Sequence, residues 1–200
     1  MLAVDGPVVL RSDHRESSPR AGDQAGRGSS LETKESSRVA LSLLPNCLVQ
    51  VGPRTTVEIG RLALTKDGNE TGGAMRERHA ELKLKTGRLI VSHVWGQARA
   101  LVRISTPHGD AVTPSNAVFC VEADAEKTRV TCATGWIEFQ PPTGSAVQIP
   151  PGSSGEFTSS ESRIVAAETD PHAQETLQDA LETDQSLRGQ MVQRSNVLPR

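Results

Sequence analysis

The chain is punctuated more densely than helices tolerate. From Val4 to Ala166, short apolar segments are broken by Gly, Pro, Asn or Asp before a helical period can establish itself. Gly supplies backbone conformations other residues avoid, and Pro removes a ladder donor, so this rhythm predicts many short strands joined by tight turns.

Strands are expected at Val4 to Leu10, Arg38 to Leu44, Cys47 to Val51, Thr55 to Ile59, Ala80 to Lys85 and Arg88 to Val94. Others follow at Ala100 to Ser105, Ala117 to Ala123, Thr128 to Ala133, Gly135 to Phe139 and Ala146 to Ile149, with edge pieces at Gly152 to Phe157 and Arg163 to Ala166. Arg11 to Ser30 and Glu70 to Arg78 read as loops. Alternation is clearest at Ala80 to Lys85, where Leu82 and Leu84 face inward and the charges face out. Ala117 to Ala123 and Thr128 to Ala133 form a predicted hairpin. A three-residue loop there would set Cys120 directly opposite Cys132, where a disulfide is conceivable; a one-residue slip abolishes it.

The period changes past Glu168. Asp170 is a suitable N-cap with Pro171 at the first helical position, and Ala173, Leu177, Ala180, Leu181, Leu187 and Met191 recur at helical spacing. One amphipathic helix, about Pro171 to Met191, is therefore expected, docked on the β domain or on a partner. The predicted organisation is a β domain over 1–167 and a charged helical tail over 168–200. Aromatic residues are only 2% of the 200, with no Tyr, so Val, Ile, Leu and Ala must build the core.

Strand-Gly-strand corners recur at Gly87 and Gly135, as in a β-solenoid or stacked β-sandwich. Leu31-Glu-Thr33, Val39 to Leu43, Pro45 to Thr55, Leu84 to Gly87, Ile104 to Pro107, Val118 to Val121 and Val130 to Gly135 then follow in an ordered series. In that order and spacing, from about Val4 to Phe157, the chain resembles the FecR domain of bacterial cell-surface signalling proteins. Ser115-Asn116-Ala117 stands where the family commonly has Arg-Gly-Thr. The resemblance implies an all-β, solenoid-like module on the periplasmic or extracellular side. In the best-known members it sits behind a membrane helix and links an outer-membrane transporter to a sigma factor. Other members sit in large surface proteins.

The residues themselves offer little chemistry. The net charge of −2 lacks the clustered basic face of a nucleic-acid binder. No run of about 20 apolar residues is present to span a bilayer, and Met1 to Leu10 lacks signal-peptide character. Cys47, Cys120 and Cys132 are read as small packed thiols. His14, His79, His108 and His172 fall in or beside loops and His93 on the polar side of a strand, all solvated and without metal-ligand spacing. No nucleophile elbow or phosphate loop occurs, with Gly72-Gly73 and Gly152 to Gly155 read as plain loops. Arg76, Arg78, Lys83, Lys85 and Arg88 are read as the outer face of one strand, and Trp95 and Trp136 as core anchors. No catalytic, cofactor or metal residues are assigned. The expected role is a non-enzymatic binding or sensory module with a protein partner in the envelope, against the alternative of a structural β-repeat in a larger surface protein.

Overall fold

The computed structural model describes residues 1–13, 15–66, 75–94, 99–113 and 116–197. Its strands are β1 (Ala3–Asp5), β2 (Val8–Ser12), β3 (Arg15–Ser17), β4 (Ser30–Thr33), β5 (Arg38–Leu44), β6 (Cys47–Val51), β7 (Thr56–Lys66) and β8 (Met75–His93). There follow β9 (Arg99–Thr106), β10 (Gly109–Thr113), β11 (Ala117–Ala123), β12 (Thr128–Thr134), β13 (Ile137–Gln140), β14 (Val147–Ile149), β15 (Ser153–Phe157) and β16 (Ser162–Ala166). A 3-10 turn at Ala167–Thr169 leads into the helix α1 (Pro171–Val197). The protein is mostly strand with one C-terminal helix, and its sheet does not close.

Two half-sheets share one strand. The first runs β1-β5-β6-β8-β11-β12-β15-β16, antiparallel throughout. The second runs β3-β2-β4-β7-β8-β9-β10-β13-β14, antiparallel except for the parallel β8–β9 pair. The 19-residue β8 belongs to both: Met75–Thr86 pairs with β7, and Leu89–His93 with β6. The crossing falls at Gly87, whose φ is +101°. A Cβ there would meet Thr55, with its Cα only 2.5 Å away, so no side chain fits. Gly135 makes the next such crossing, from β12 to β13, at φ +77° and pressed against the Asn116 carbonyl. The segments Ala80 to Lys85 and Arg88 to Val94 are thus one strand bent across two layers.

Alternation fills the space between the halves. Leu89, Val91, Phe119, Val121, Val130 and Cys132 belong to one core with Leu82, Leu84, Val57, Ile59, Ile104 and Ile137 from the opposing half. All three phenylalanines are fully buried, and Phe139 stacks on Phe157 with centroids 3.7 Å apart. The core therefore uses every Phe the chain has, beyond the aliphatic packing expected from composition. The first half is buried on its outer face too, because α1 lies across it. Ala173, Thr176, Ala180, Thr183 and Leu187 form the buried row of the helix. Ala180 packs with Ile90, Val118 and Cys120, and Leu187 with Ala40 and Leu48. The helix docks in cis, through small side chains spaced to meet a pleated surface; Leu177 and Leu181 sit at its flanks, half-buried.

Several expectations are corrected. Val4 to Leu10 is split into β1 and β2 at Gly6-Pro7, the loop after Arg11 holds β3, and β10 was missed. Strand β8 begins inside the predicted 70–78 loop, of which 70–74 lies outside the described residues. The β11–β12 turn is tighter than expected. Asp124 N–H donates to the Lys127 carbonyl, while Asp124 Oδ1 accepts from the N–H groups of Glu126 and Lys127, both at 2.8 Å. That two-residue turn sets Cys120 opposite Thr131 and Phe119 opposite Cys132. The two cysteines point to opposite faces, so no bridge joins them, and all three thiols are free.

Candidate functional site

The outer face of the first half-sheet carries a row of charges that only the register reveals. Beyond Gly87 the strand emerges in the first half-sheet, and Arg88 points to the face covered by α1. Across the ladder Arg88 opposes Glu122, Glu122 opposes Arg129, Arg129 opposes Glu156, and Glu156 opposes Arg163. Signs alternate across five strands, the arrangement cross-strand pairs favour. The helix start and the β11–β12 turn add Asp170, His172, Asp179 and Lys127 to this row.

The contacts are close. Arg88 Nη1 lies 2.8 Å from Asp179 Oδ2 of the helix and Nε 3.6 Å from Glu122, and Nε donates to Cys120 Sγ at 3.2 Å. Burial works against the charge on Arg88 but is outweighed by Cys120, Glu122 and Asp179, leaving its pKa raised. His172 Nε2 lies 2.9 Å from Glu122 Oε2. Glu156 accepts from Arg129 at 2.6 Å and from Lys127 at 3.0 Å, and these bonds hold its carboxyl below the usual range. Farther along the helix, Asp184 joins the Ser92 hydroxyl to Arg188, whose Nε is 2.7 Å away. Asp170 caps the helix by accepting from the His172 N–H at 3.0 Å, as its sequence position predicted.

Two open depressions flank Lys127 and Arg129. One, of about 700 Å³, is lined by Arg54, Gly87, Arg88, Glu122, Lys127 and His172 among others. The other, of about 380 Å³, runs beside Glu156, Arg163, Val165 and Asp170. Most of their charged groups pair along the surface rather than converging on one point, and Arg163, at the sheet edge, stands apart from these pairs.

The residues singled out from sequence are dispersed. Lys83 and Lys85 lie outward on β8 beside Glu58, at 3.0 and 3.9 Å, as expected. Arg88 is carried to the other half-sheet by the crossing, and Arg78 is a rim residue whose Nη1 donates to the Pro45 carbonyl at 3.1 Å; the side chain of Arg76 is outside the description. His93 is buried on the inward side of β8, in line with Leu89 and Val91, contrary to expectation. Burial lowers its pKa, against a smaller raising contact with the Asn46 backbone. His108 is also buried, with Nδ1 3.1 Å from Thr128 Oγ1. His79 lies within β8, while His14 and Trp95 fall outside the described residues; Trp136 is half-buried at the Gly135 corner. Burial pushes the thiols of Cys47, Cys120 and Cys132 up to about 12. Among the described residues no group of three or more His, Cys, Asp or Glu could hold a metal ion, and no helix is long and apolar enough to cross a membrane.

An open two-layer β module, strapped by one helix and bearing a charged seam, is the class that fold and site define. The family described as FecR protein matches residues 29–138, and the chain belongs to that family. It is a family of envelope-associated regulatory proteins. No curated protein matches the chain. Two crystal structures of a protein from Parabacteroides distasonis ATCC 8503, described as an anti-sigma factor, each align at a TM-score of 0.49 with 16% identity. The alignment covers 68% of this chain and 57% of that one, so the chain spans little more than half the length of those proteins.

Proposed function

We propose that the protein is a non-catalytic protein-binding module that senses or relays a signal in the bacterial envelope, facing the periplasm or the outside. Its strands are taken as coils of a flattened solenoid over 1–167, with 168–200 as a strap laid across one side. The observation that carries this reading is the charge row from Arg88 to Arg163 and the two depressions along it. Paired, partly exposed charges of both signs on a rigid sheet suit the polar rim of a protein interface. The partner is a protein of the envelope, a transporter or signalling protein by family resemblance.

A photoreactive residue placed at Arg54 or Lys127, on the rim of the larger depression, tests this in the native host. Lys85, on the other half-sheet, is the control position. One discrete adduct to a second protein from Arg54 or Lys127, and none from Lys85, is expected. A structural β-repeat, the competing reading, yields no such adduct, and its absence at both rim positions would overturn the proposal.

A further inference from the structure

The charge row ends at an open edge with one charge unspent. Glu156 is already shared by Arg129 and Lys127, and Arg163, opposite Glu156 on β16, has no ion-pair partner among the described residues. Among the described residues no strand lies beyond β16, which pairs with β15 alone. The strands at the other three ends are short, and β7, whose outer side is unpaired by strand beyond Ile59 among the described residues, is broken there by bulges at Gly60 and next to Lys66. Strands β1, β3 and β14 have three residues each, with Pro7, Pro19 and Pro150 close behind them. Short strands and nearby prolines are how sheets prevent unwanted pairing. The five-residue β16 has neither device, and no Pro occurs between Gly152 and Asp170. Its Ile164 is 38% exposed, one of few large apolar side chains left in solvent.

We infer that β16 is a strand-docking edge, which takes an extended segment of a partner protein with an acidic side chain opposite Arg163. Main-chain bonds along the free edge supply the affinity, and the fixed row of signs supplies the register. The next member of a series that runs Arg88, Glu122, Arg129, Glu156, Arg163 is a carboxylate. The groove beside Glu156, Arg163 and Val165 lies on the same face and leaves room for that side chain. A second copy of this chain is a poor occupant. Laid antiparallel along the full strand, its own Arg163 falls diagonal to this one, a like-charge contact. This inference rests on the protein-binding reading and names one surface for it.

The test uses the whole chain and two blocked seven-residue peptides of alternating Thr and Val, one with Glu and the other with Lys at its centre. Amide shifts of the protein are followed during titration. The Glu peptide is expected to move the β16 amides and to bind about fivefold more tightly than the Lys peptide, the ratio expected of one cross-strand charge pair. In Arg163→Glu, an exposed change that leaves the fold intact, the preference reverses. Equal binding of both peptides, shifts confined to β1, β3 or β14, or no shift at β16 overturns the inference. So does a concentration-dependent dimer that protects β16. Those failures leave the protein-binding reading standing if the cross-links from Arg54 or Lys127 still form.

Discussion

Replacing Gly87 by Ala separates two burdens that the corner of β8 imposes. The first is conformational: φ is +101°, and an L side chain at positive φ costs about 1–2 kcal/mol. The second is space. The new Cβ would lie 2.5 Å from Thr55 Cα, well inside the 3.5–4.0 Å of a relaxed carbon contact. Backbone, not a flexible side chain, must move. Forcing a methyl into such a site costs about 1–3 kcal/mol. The move also strains Thr55 Oγ1, which accepts the Arg88 N–H at 2.9 Å, and the Thr55 N–H, which donates to Thr33 Oγ1 at 2.9 Å. With about 1 kcal/mol from weakened hydrogen bonds, Gly87→Ala should destabilise by roughly 4–5 kcal/mol, a large fraction of a domain's usual margin. Gly144 supplies the control. Its φ is +103°, and nothing lies within 4 Å of its would-be Cβ. Gly144→Ala should therefore cost only the conformational part, about 1–2 kcal/mol. Urea unfolding followed by far-UV circular dichroism measures both variants. If they agree within about 0.5 kcal/mol, the crossing is not sterically closed and the account of β8 is wrong.

Three other outcomes are expected. Asp124→Ala removes the acceptor of two turn N–H groups and should cost about 1 kcal/mol at pH 7, as an exposed cap does. The N–H groups of Lys127 and Glu126 depress the Asp124 pKa, so this stabilisation is present above the unfolded value near 3.9 and lost as pH falls through the folded one. A penalty that persists unchanged at about pH 2 would contradict it. Removing 168–200 should leave a folded β domain at a cost of about 2–3 kcal/mol, because among the described residues Leu187 is the one large helix side chain that is fully buried; collapse of the dispersed amide spectrum would make the helix part of the core. Thiol titration after unfolding should find three free thiols even in protein purified without reductant, since Cys120 and Cys132 face opposite ways; a count of one would mean the register is wrong.

Much of the strand layout was legible because alternation and punctuation are local. Leu82 and Leu84 inside, Lys83 and Lys85 outside, and the Gly87 and Gly135 corners all follow from short stretches of chain. The charge row was not legible, because it depends on pairing between strands far apart in sequence. A three-residue β11–β12 loop would have set Glu122 opposite Val130. The Asp124 turn sets it opposite Arg129 instead. One residue of turn length thus hid both the row and the separation of the cysteines. His93 differs for a related reason: parity carried unbroken from the outward Lys83 and Lys85 puts residue 93 on the outer face, whereas the crossing at Gly87 resets which face is inward. Strand β10 went unseen because Gly109 to Thr113 pairs on both sides and needs little hydrophobic pattern of its own.

Strand β8 has a mechanical consequence. Because one covalent backbone is laced through both layers, neither can slide past the other. A shift of one residue along that strand would turn the side chains of both half-sheets inside out together. The body of the module should therefore behave as a single stiff lever, turning as a unit when pushed at any rim. Movement within the molecule is left to what is merely laid upon it, the helix held by Asp179 and Asp184 to Arg88 and Ser92.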